Sequence, residues 1–142
     1  MDSDDVRAQV NQVNLLIQRA SVNGADALAN LQDTITGLKY ASEQLQAARV
    51  YANEQLDTMA ALNDQLELIL VGTLSADVIV AQGRLKLAMR HVSDFLSRTQ
   101  YHVNNIDKIR AVLNLQVQPS IEAPNSILKE IKETIEQWSR YL

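Results

Sequence analysis

The sequence predicts an all-α fold: an elongated antiparallel helical hairpin of coiled-coil character with a short C-terminal helix, assembling into a helical bundle. Three observations carry that expectation. Among 142 residues only 4 are Gly, 2 Pro and 1 Phe, against 13 Gln and 10 Asn, so helix breakers and strand-forming aromatics are scarce. Apolar residues recur at 3-4 spacing along most of the chain, the signature of a helix with one buried stripe. That spacing slips by two residues near mid-chain, where turn residues cluster.

The first helix is expected over about residues 3–71. Val10, Ile17, Gly24, Leu31, Leu38, Leu45, Ala52, Met59 and Leu66 take heptad position a, and Val6, Val13, Ala20, Ala27, Thr34, Ala41, Ala48, Gln55, Leu62 and Ile69 take position d. All are Ala, Val, Ile, Leu or Met except Gly24, Thr34 and Gln55. Asn23-Gly24 is a common turn signal, yet the phase runs straight through it. Gly24 therefore reads as a small residue at a close helix approach, and Gly24→Ala is expected to stabilise a helix there but to destabilise a left-handed turn. Thr34, Gln55 and Thr99 read as polar stripe positions that fix register or oligomer state.

The turn is expected at 72–74. Gly72 can take the left-handed residue after the helix, Ser75 can cap the next helix, Asp77 suits its first turn, and Leu74 with Ile79 can form a hydrophobic staple. The second helix follows over about 75–117, with Val78, Leu85, Val92, Thr99, Ile106 and Leu113 at a and Ala81, Ala88, Phe95, His102 and Ile109 at d. His102 is thus expected in the core, bonded across the seam. Pro119 and Pro124 predict a linker at 118–125, because proline lacks the amide donor and disfavours helix in the residue before it. A final helix over about 126–142 carries Leu128, Ile131, Ile135, Trp138 and Leu142 as its stripe, a candidate docking helix.

The two arms match in length, which predicts a rod of about 100 Å at about 1.5 Å per residue. Charge is unevenly spread: residues 1–80 hold 4 basic and 11 acidic side chains, and residues 81–142 hold 9 and 6. An antiparallel pairing would bring Asp64 near Arg84 and Lys86, and Asp57 near Arg90. Leu28, Ile35, Leu56 and Leu70 at position e widen the stripe beyond a and d, so Leu28, Ile35 and Leu56 are expected to form a flank covered by a second copy.

Composition excludes several chemistries. With no cysteine there is no disulfide, thiol nucleophile or thiolate metal site. His91 and His102 lie about 16 Å apart along a helix, and no Glu-x-x-His pair, Gly-rich phosphate loop or Ser-His-Asp spacing is present. No catalytic residue, metal or cofactor is expected, and the chain is not read as an enzyme. The basic residues are diluted by acids, which makes nucleic acid an unlikely partner. The opening MDSDDVRAQV is acidic and carries no signal-peptide pattern, and localisation stays open.

Interaction remains. The hairpin tip, Leu68, Ile69, Leu70, Val71, Leu74, Val78, Ile79 and Val80, is more apolar than a solvated turn requires. The functional expectation is a structural or protein-interaction protein: a self-associating hairpin that presents an apolar tip or flank to a protein partner, with membrane contact at the tip possible but not favoured. The alternative is a ligand-sensing helical-bundle domain of a receptor.

Overall fold

The computed structural model describes residues 3–141, and all of its regular structure is helical. Helix α1 spans Ser3–Gly72, α2 spans Ala76–Val112, a π-helical turn spans Leu113–Val117, and α3 spans Gln118–Ser139. The two long helical arms pack against each other as an antiparallel hairpin. Two compact units divide it: a terminal unit of Met1–Gly37 with Ile109–Leu142, and a turn unit of Leu38–Lys108.

Helix α1 passes through Asn23-Gly24 unbroken, and no glycine has a positive φ. This includes Gly72, expected to turn left-handed but instead ending α1 in helical geometry. The reversal is made without it: Thr73 N–H donates to Ile69 O at 2.8 Å, closing the last turn. Ser75 caps α2 as expected, its Oγ accepting the Val78 N–H at 3.4 Å. The anticipated staple is absent, since Leu74 and Ile79 both remain exposed.

Sequence and structure differ most in the stripe that forms the seam. In the turn unit the shielded positions of α1 are Leu38, Ser42, Leu45, Arg49, Ala52, Leu56, Met59, Asn63, Leu66 and Leu70 at a and e, with the small Ala41 and Ala48 at d. Those of α2 are Val78, Gln82, Leu85, Met89, Val92, Leu96, Thr99, Val103 and Ile106, again at a and e, with Ala88 at d and Asn105 beside them. Position d faces outward at Gln55, Leu62, Ile69, Phe95 and His102. Where position e supplies Leu28, Ile35, Leu56, Met89 and Val103, position d supplies Ala27, Thr34, Gln55, Ala88 and His102, which are smaller or more polar, so in those layers closing on a and e removes more apolar area from water. His102 is therefore exposed, and its neighbour Val103, only 3% exposed, is the most buried apolar residue described.

Polar layers interrupt the seam. Ser42 Oγ, in a side chain 2% exposed, donates to Asp107 Oδ1 at 3.1 Å. Gln82 Nε2 donates to Asn63 Oδ1 at 3.1 Å and to Glu67 Oε1 at 3.2 Å. These bonds fix the register of the turn unit, because a slip would strand buried donors and acceptors. Thr99 is buried as its position implies, but its Oγ1 donates to Phe95 O of its own helix at 2.7 Å. Thr34 bonds within α1 in the same way and stands exposed. The expected charge pairing across the arms does not form: Asp57, Asp64, Arg84, Lys86 and Arg90 are exposed and make no ion pair among the described residues.

In the terminal unit the expected linker at 118–125 is helical, with Pro119 in the first turn of α3 and Pro124 inside it. The π turn explains how. It inserts one residue, with Gln118 N–H donating to Leu113 O, five residues back. The stripe then resumes at Gln118, Ile121, Asn125, Leu128 and Ile135 instead of rotating by about 100° onto Val117, Pro124 and Ile127. Asn125, next to the second proline, anchors this stretch: its Nδ2 donates to Gly24 O at 3.2 Å. The close approach expected at Gly24 is thus made, but Asn125 fills the space. A Cβ on Gly24 would collide with Asn125 Oδ1 and lie 2.9 Å from its Cγ, which reverses the expected sign of Gly24→Ala.

Candidate interaction surfaces

The hairpin tip belongs to the turn unit. Leu70 and Val78 are the last shielded residues of the seam, so they hold the two helices together next to the turn. Beyond them the seam has no further layer, and Val71 and Leu74 are 87% and 88% exposed. Leu68, Ile69, Ile79 and Val80 are also exposed and complete an apolar cap. Glu67 and Asp77 border it. Six of the eight residues singled out from sequence therefore point to solvent, while Leu70 and Val78 serve the fold.

The flank behaves differently. Leu28, Ile35 and Leu56 are half-buried at e positions of the seam, so part of each side chain already packs within the chain. The open flank of the turn unit is the d line. In an antiparallel pair both d lines fall on one face, because a twofold axis normal to the plane of the helices relates them. Ala48, Tyr51, Ala52 and Gln55 from α1 and His91, Val92 and Phe95 from α2 accordingly line one shallow groove of about 650 Å³. The small alanines form its floor, and Phe95, 40% exposed, stands at its edge. The sequence places Ala48, Ala52, Gln55, Val92 and Phe95 on the stripes expected to form the hairpin core, and gives no signal for Tyr51 and His91 beside them.

The C-terminal stripe is split between two surfaces. Leu128 and Ile135 are half-buried in the terminal seam, whereas Ile131 and Trp138 are exposed, Trp138 at 48%. Leu142 lies outside the described residues. Ile131 and Trp138 are the d positions that follow the π turn, as are Val117 and Pro124, so the terminal unit also turns an apolar d line outward. Lys132 and Glu136, an exposed pair at 4.0 Å, line a second, more polar groove with Asn14, Ile17, Ser21 and Ala25.

Among the described residues no group of three or more His, Asp or Glu side chains is placed to hold a metal ion. No helix among them is long and apolar enough to cross a membrane. Comparison with protein-family models, with curated proteins and with solved structures gives no match.

Proposed function

We propose that the chain is a non-enzymatic structural or protein-interaction protein, a self-associating helical hairpin that presents its apolar tip to a protein partner. The observation that carries this reading is the exposure of Val71 and Leu74, with Leu68, Ile69, Ile79 and Val80 around them, at the end of a helix pair whose seam has already closed. A turn of three residues needs no such cap for folding. Exposed contiguous apolar surface on a soluble protein marks a docking site. The acidic border of Glu67 and Asp77 favours a protein partner over an anionic membrane, which would attract basic residues instead.

The test is quantitative capture of binding proteins by the intact chain, compared with Val71→Asp and Leu74→Asp variants. Both positions are almost fully solvated, so the variants should keep the helicity and unfolding midpoint of the parent. Specific partners retained by the parent and lost from both variants would support the reading. Identical capture profiles would reject the tip as the docking site, and co-flotation of the protein with liposomes that is abolished by the same substitutions would assign the tip to membranes.

A further inference from the structure

The structure assigns the outward d face of the turn unit to a second copy of this chain, resting on the proposed self-association and naming its surface. The surface is sharply sided. Along the d lines stand Ala41, Ala48, Gln55, Leu62 and Ile69 from α1 and Ala81, Ala88, Phe95 and His102 from α2. None carries a fixed charge. Position b, on the opposite side of the same helices, has Lys39, Gln46, Asn53, Ala60 and Glu67 on α1 and Ile79, Lys86, Ser93, Gln100 and Asp107 on α2, four of them charged. A helix pair that met only water on both faces would have no reason to segregate its charges this way.

Charge selects the occupant. The chain carries a net charge of −4, so copies repel one another at most orientations. The d face is where they can meet without opposing like charges, and an acidic or basic partner finds no counter-charge there. Two faces stacked about a dyad parallel to the helices place α1 of each copy over α2 of the other, running in the opposite direction. This is the arrangement of an antiparallel four-helix bundle.

Area points the same way. The accessible surface is 10354 Å² for a chain of 15.8 kDa, whereas a folded monomer of that mass exposes about 7,300 Å². The difference of about 3,000 Å² is surface that an extended helix pair exposes beyond a compact globule, and it leaves room for the roughly 1,000–2,500 Å² that each copy contributes to an obligate homodimer. Ala48, Ala52 and Ala88 let backbones approach closely, and Phe95 supplies the bulky side chain that enters the groove of the other copy.

Sedimentation equilibrium on the intact chain and four variants, the tip variant Leu74→Asp among them, tests this. Gln55→Arg and Phe95→Glu put charge in the face, and Asn53→Arg puts it on the opposite side. Gln55 is exposed and its side chain makes no hydrogen bond among the described residues, so its replacement leaves the hairpin seam intact. The expected result is a dimer for the parent and for Asn53→Arg, with association weakened about 30-fold or more by each face substitution. Dimers that survive both face substitutions, or that dissociate instead with Leu74→Asp, would overturn this assignment while leaving self-association standing. A parent that stays monomeric to about 100 µM, well above the Kd of a stable dimer, would overturn both.

Discussion

Replacing Gly24 with alanine sets two well-understood effects against each other. In an exposed helix interior the substitution stabilises by about 1 kcal/mol, because glycine loses more backbone entropy on folding. Here the new methyl meets Asn125, whose Oδ1 is buried without a hydrogen-bond partner and whose Nδ2 donates to the Gly24 carbonyl. Displacing that side chain costs about 0.5–1.5 kcal/mol for the lost bond. Accommodating the methyl in a filled seam costs about 1–3 kcal/mol more. The sum is a net destabilisation of about 0.5–3.5 kcal/mol. Asn125→Ala alone removes both the bond and the unsatisfied oxygen and should be close to neutral. In the double variant the methyl has room, and the helical gain of about 1 kcal/mol should reappear. Urea unfolding followed by circular dichroism on all four proteins gives the coupling energy, expected at about 1.5–4.5 kcal/mol. A Gly24→Ala variant that is more stable by the same amount with or without Asn125 would show that the two residues do not touch.

The remaining expectations concern the seam. Ser42→Ala should destabilise by about 1 kcal/mol, since it removes the hydrogen bond that the buried Ser42 hydroxyl makes across the helices; denaturant melts give the value. Val103→Ala should cost about 2 kcal/mol in the same assay, from two buried carbons and the space they leave. His102→Ala, one residue away but exposed, should stay within about 0.5 kcal/mol of the parent. Inserting one alanine after Leu115 should be far more damaging than deleting Leu115. Deletion turns the π turn into ordinary helix with Ile121, Leu128 and Ile135 still in the seam, while insertion rotates all three away. Thermal melts of the two proteins decide between them.

Fold class, the position of the turn and the Ser75 cap were legible because each rests on local signals: helix propensity, heptad phase and capping chemistry. The choice between d and e as the partner of a was not. Both lie beside a on a helical wheel, and d happens to be apolar for a different reason. What decides is apolar bulk weighed layer by layer along two helices: Leu56, Met89 and Val103 at e stand beside Gln55, Ala88 and His102 at d, and the helices close on the more apolar side chains. The same misassignment placed His102 and Trp138 inside and set aside the groove at Phe95. The helical linker was hidden for another reason. Pro119 and Pro124 read as breaks by their local chemistry, and the π turn that absorbs the extra residue leaves no compositional mark in LNLQV. The tip needed no such resolution, since its apolar residues outnumber what two closing helices can cover.

Neighbouring positions 102 and 103 give the most direct test of the a/e seam. The chain contains no cysteine, so His102→Cys and Val103→Cys each carry a single thiol. Thiol labelling rates are measured on dilute protein, below any self-association. The account predicts that His102→Cys reacts about as fast as an unfolded control, whereas Val103→Cys is slowed by about 10-fold or more, as for a site reached only through opening of the packed helices. Protection of His102→Cys with free labelling of Val103→Cys would contradict the seam and restore the helices to an a/d contact.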